Sequence, residues 1–121
     1  MKYLLSIFGN EEAWQSLPEA EVQTLIHDTD ALHRKLQGTG EFVGAYGVGD
    51  QVMAKMVRVA DGVPAVTDGP FAETKEYLAS FEIVDVDGLE RALEIAAMNP
   101  ASRYVGVEVK PLLFEAPEHI A

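Results

Sequence analysis

The chain has 121 residues, 48 % hydrophobic and 24 % charged, with 9 Lys+Arg against 20 Asp+Glu and a formal charge of −11. That length and balance suit a single globular domain over residues 1–121, with residues 112–121 as a tail. So acidic a surface repels phosphate backbones and anionic membranes, which excludes direct nucleic-acid and membrane-surface partners. The absence of cysteine excludes disulfides, thiolate metal sites and thiol catalysis. No apolar run approaches the length of a membrane span, and a cytoplasmic location is expected.

Residues 3–8 form a short apolar run ended by Gly9-Asn10 and predict a buried first strand. Ser16, Pro18 and Glu19 are helix-start residues, with Ser16 the expected N-cap. Val22, Leu25, Ile26, Thr29, Leu32 and Leu36 then recur at helical spacing until Gly38. Residues 42–48 and 52–60 predict two strands joined by a tight hairpin at Gly49-Asp50, the second with one buried face. Asp61-Gly62 predicts another turn, and residues 63–67 a short strand. Residues 77–86 alternate strongly and predict a central strand. Asp87 is the expected cap of a second helix, whose apolar stripe is Leu89, Ala92, Leu93 and Ala96, before Asn99-Pro100. Residues 104–109 predict the last strand.

This order, with helices after the first and penultimate sheet strands, predicts an α+β domain. It fits a ferredoxin-like split βαβ arrangement, with an antiparallel sheet and helices on one face. The other sheet face then needs a cover, which a domain this small finds in a second copy of itself, so a homodimer is expected.

The segment from residue 67 to 76, Thr-Asp-Gly-Pro-Phe-Ala-Glu-Thr-Lys-Glu, has its own character. Asp68-Gly69 is a turn pair, Pro70 holds Gly69 extended, and Phe71 offers an aromatic anchor. The bland reading is a rigid connection with an aromatic plug. The sharper one is a pocket rim on which Asp68 and Glu73 present carboxylates to a small organic ligand. Arg103 and Lys75 are the hosts for any ligand carboxylate. The last nine residues of the segment, from Asp68 to Glu76, resemble the signature of the YCII-related family, in its DGPF branch. The opening Met1-Lys2-Tyr3-Leu4-Leu5, Asp85-Val86-Asp87, and Val107-Glu108-Val109-Lys110-Pro111 also resemble family landmarks, in the expected order. The resemblance spans nearly the whole chain. It implies a ferredoxin-like domain packed as a dimeric α/β barrel, no settled activity, and association with sigma factors for some members.

Enzymatic proposals for the wider family rest on a His on the first helix and an Asp before a Pro after the second. Thr29 and Asn99-Pro100 stand at those positions here, which argues against that acid–base pair. Of the histidines, His33 falls within roughly 20° of Val22 on a helical wheel and so on the apolar stripe. His27 lies off the stripe. His27, Asp28, Asp30 and His33 lack the spacing of a zinc helix, so no metal and no cofactor are expected.

The candidate ligand-binding set is therefore Asp68, Gly69, Pro70, Phe71, Glu73, Lys75 and Arg103. Three functions stay open at this point. The first is a small-molecule-binding or accessory domain, with a possible tie to sigma-factor regulation. The second is a cofactorless lyase or isomerase with His33 as base and Asp68 as its catalytic partner. The third is a protein-interaction partner of a transcription factor.

Overall fold

The computed structural model describes residues 1–69 and 76–119 of the chain. Strand β1 (Lys2–Asn10) is followed by a short helix α1 (Glu11–Gln15) and a long helix α2 (Glu19–Thr39). Next come β2 (Phe42–Gly47), a 3-10 turn (Gln51–Met53), β3 (Lys55–Ala60), β4 (Val63–Asp68) and β5 (Glu76–Asp85). Helix α3 (Leu89–Met98), a second 3-10 turn (Pro100–Arg103) and β6 (Val107–Pro111) complete it. The main sheet is four-stranded and antiparallel, in the order β2-β5-β1-β6. That order and the two crossover helices are those of a ferredoxin-like α+β fold, as the element order predicts. No helix among the described residues is long and apolar enough to cross a membrane.

Both long helices pack on one face of this sheet. Leu32 and Leu36 of α2, with Ala92, Ile95 and Ala96 of α3, share one cluster with Tyr3, Leu5 and Val84. The register explains the division of faces: Tyr3 pairs with Val84 and Leu5 with Glu82, and all four are buried under the helices. The alternate residues Leu4, Phe8, Phe81 and Ile83 point the other way. Val43 and Tyr46 beside them are well exposed.

Helix boundaries differ from the predicted ones for local reasons. Asn10, rather than Ser16, starts helical structure, because its Oδ1 accepts from the amides of Glu12 and Ala13 and so caps α1. Ser16 closes α1, and α2 begins after Pro18 without a side-chain cap. Gly38 lies within α2, whose left-handed C-cap is Gly40 at φ 80°. Gly88, rather than Asp87, precedes α3.

The predicted hairpin at Gly49-Asp50 is absent. Residues 51–53 form a 3-10 turn, and β3 pairs with β4 instead of β2. The tight turn is Asp61-Gly62, where both residues take positive φ (51° and 77°), the conformation that matches the twist of a two-residue hairpin. The resulting ribbon is a separate two-stranded sheet, and every residue on it is exposed, so the buried face predicted for residues 52–60 does not form.

Glu41, just after α2, locks this corner to α3. Arg91 donates to it through Nε (2.8 Å to Oε2) and Nη2 (2.9 Å to Oε1), and Thr39 Oγ1 donates to Oε1 at 2.8 Å. These bonds, the Arg91 fork first and the Thr39 hydroxyl second, lower the Glu41 pKa from 4.5 to about 2. A depressed folded pKa gives stability that is complete above the unfolded value and lost as pH falls through the folded one. Glu41→Gln should therefore flatten the acid dependence of unfolding between about pH 2 and 4.5, read from denaturant midpoints at stepped pH. An unchanged slope in that window would mean the fork does not hold the corner in solution.

Candidate functional site

An apolar cavity lies between α2 and the inner face of the sheet. Its volume is about 510 Å3, within the range of roughly 300–1,000 Å3 common for small-molecule sites. Ile7, Trp14, Leu25 and Phe42 are among its apolar lining residues. Its polar residues converge from three elements. His33 comes from α2, Glu82 from β5, and Asn99 from the junction after α3, with Thr29 one helical turn before His33.

Glu82 is the unusual member. It sits on the inner face of a central strand, opposite Leu5 on one side and Ala45 on the other, and is only 2 % exposed. A carboxylate is rarely so buried unless each oxygen has a partner. Here both do. Oε2 lies 2.6 Å from His33 Nε2, and Oε1 accepts from Asn99 Nδ2. The first contact is at the short limit of charge-assisted N–H···O hydrogen bonds.

Asn99 is itself held from behind. Pro100 ends α3 there, because the residue before a proline is pushed out of the helical region, and Asn99 is extended at φ −67° and ψ 123°. Its Oδ1 accepts from the Ala101 amide at 2.9 Å and caps the 3-10 turn. With the oxygen so committed, the amide nitrogen must face Glu82. Asn99 is also 2 % exposed, so the whole chain from Ala101 N to Glu82 is dry.

His33 is the exposed end of this chain. Its ring lies 5.0 Å from that of Phe42, centroid to centroid, and it borders the cavity. An ionised Glu82 makes Nε2 the proton-bearing nitrogen and leaves Nδ1 as an acceptor. Among the described residues, no hydrogen bond is formed by Nδ1. Thr29 turns its hydroxyl into the helix, donating to Leu25 O at 2.7 Å.

Trp14 reaches the cavity from α1. It stands over Gly9 together with Tyr77, so close that a Cβ on Gly9 would lie 2.9 Å from the indole nitrogen and 2.8 Å from the Tyr77 ring. A side chain at position 9 would displace the aromatic wall.

The predicted site residues are placed as follows. His33 borders the cavity, but the carboxylate it meets belongs to Glu82, not Asp68. Asp68 ends β4, where its side chain is exposed and pairs with Lys55 at the base of the ribbon. Gly69 follows it and donates to Ala54 O at 3.1 Å. Pro70, Phe71, Glu73 and Lys75 lie outside the described residues. Arg103 is exposed, pairs with Asp28 across 3.3 Å, and does not line the cavity. His27 is solvated beside Asp28. Among the described residues, no group of acids and histidines could hold a metal.

Glu82 and Asn99 were not among the predicted site residues. For Glu82 a signal existed: it is in phase with Val84 and Val86, the buried face of its strand. Thr29 and Asn99, where the resemblance expects a His and an Asp, do line this cavity.

A 30 % identical relative, an uncharacterised protein of Rhizobium meliloti (strain 1021), aligns over 119 residues, covering 97 % of this chain and 96 % of its own. The YCII-related domain family matches residues 1–113. The chain belongs to the YCII-related domain family.

Proposed function

We propose that the cavity binds a small, mostly apolar organic molecule, and that His33, aligned by Glu82, takes a proton from it or returns one. The observation that supports this most is the buried His33–Glu82–Asn99 chain. Sheet packing does not require it, since an apolar residue beside Leu5 and Ala45 would stabilise the core at least as well as a buried, hydrogen-bonded carboxylate. A desolvated carboxylate behind an imidazole instead fixes the ring's tautomer and orientation. On this reading Glu82 supplies the negative charge that Asn99 cannot. A second copy seated on the open sheet face, over Leu4, Phe8, Phe81 and Ile83, belongs to the same reading.

The test uses an enolisable aromatic ketone, phenylacetone, in D2O. Nδ1 takes an α-proton, the enolate forms, and solvent deuterium returns to carbon. Proton NMR should show exchange above the buffer rate, and His33→Ala should lower it by about 100-fold. Trp14, the sole tryptophan, reports occupancy of the cavity by its fluorescence. Occupancy without exchange removes the proton-transfer step. No occupancy removes the binding reading as well.

A further inference from the structure

We infer that the guest of this cavity is an organic ammonium ion on an aromatic or similarly apolar body, rather than a carboxylate or phosphate ester. The inference rests on the binding reading above and adds the charge of the ligand. Glu82 is a nearly dry carboxylate, and the groups on its oxygens are an amide, from Asn99, and an imidazole, from His33. Among the described residues, no Lys or Arg lines the cavity. Arg103, Arg91 and Lys55 are engaged with Asp28, Glu41 and Asp68 elsewhere. The buried charge thus lacks a permanent counter-ion, and such a charge is costly unless something neutralises it.

An ammonium group placed at His33 Nδ1 supplies the missing half. It donates a proton into the imidazole lone pair, while the Nε2–H remains on Glu82, so the carboxylate is compensated through the ring. The rest of the guest meets Trp14 and Phe42, whose faces attract a cation as well as an apolar body. A carboxylate guest in the same position would meet an acceptor nitrogen backed by a negative charge. The formal charge of −11 adds a field that draws cations in and holds anions off.

Three probes of nearly one shape separate the cases: benzylammonium, benzyl alcohol and benzoate, titrated at pH 7 and followed by Trp14 fluorescence. The expected order is benzylammonium, then benzyl alcohol, with benzoate about tenfold or more weaker than the cation. Glu82→Gln should bring benzylammonium and benzyl alcohol to within about twofold of each other. This variant loses one of the 20 acidic residues, so attraction by the general surface survives it. A cation preference that also survives is surface attraction and overturns the inference. Equal or tighter binding of benzoate overturns it too, while leaving the binding reading intact. Silence from all three probes overturns both.

Discussion

Glu82→Gln is expected to leave stability within about 1 kcal/mol of the parent, because every buried polar atom keeps a partner. The new amide oxygen can accept from Asn99 Nδ2, and the new amide nitrogen can donate to His33 Nε2. That second bond works only if Nε2 gives up its proton. The imidazole must therefore change tautomer, with the proton moving to Nδ1, the nitrogen proposed as the base. A base with its lone pair turned away from the substrate cannot abstract a proton. Ketone exchange should fall by about 100-fold, while denaturant midpoints barely move. Nitrogen chemical shifts of the His33 ring should report the switch directly. Retained exchange in a protein whose ring has switched would mean that His33 is not the base.

Asn99→Asp should act on stability instead, lowering it by about 3 kcal/mol or more at neutral pH. The oxygen that caps Ala101 is kept, so the 3-10 turn does not lose its start. The atom that replaces Nδ2, however, is an oxygen facing Glu82 Oε1 in a site that water does not reach. Two carboxylates at that separation cannot both ionise, and they must share a proton. The folded variant then binds more protons than the unfolded chain over the pH range below the raised pKa of the pair. Stability falls as pH rises through that range and is regained on acidification. Asn99→Ala gives the contrast. It leaves the Ala101 amide and Glu82 Oε1 unpaired, a loss of about 2–3 kcal/mol without the same pH dependence. Identical pH profiles for the two variants would show that like-charge contact is not the cause.

These variants bear on why the cavity persists in this fold. A carboxylate on the inner face of a central strand costs stability that Leu or Val would not. Its cost is offset by an amide held by the backbone and by an imidazole at the cavity wall. The same arrangement aligns the histidine, so the energetic burden and the proposed chemistry sit in one hydrogen-bonded chain.

Much of the architecture was legible in local pattern. Period-two alternation marked β5, and the Val22 to Leu36 stripe marked α2, because each pattern follows from which face its own residues bury. The β–α–β–β–β–β–α–β order then limited the sheet to few arrangements, of which the ferredoxin-like one formed. The position of His33 on the apolar stripe was likewise a matter of angle along a helix, and it placed the residue at the cavity.

Pairing and partners were not legible in this way. Residues 52–60 alternate in the same manner whether they join the main sheet or leave it. The choice was made by Asp61-Gly62, whose positive φ values closed a two-residue turn and drew β3 to β4. Asp68 looked like a partner for His33 because it stood in a distinctive segment. The ribbon takes it away to Lys55. Glu82 has the opposite history: alternation put it in phase with Val84, but nothing along the chain says what lies above that face. Only the docking of α2 and α3 on the sheet brought His33 and Asn99 to its two oxygens, from 49 and 17 residues away. Helices and strands are set by neighbours in sequence, whereas a buried charge finds its partners through long-range packing.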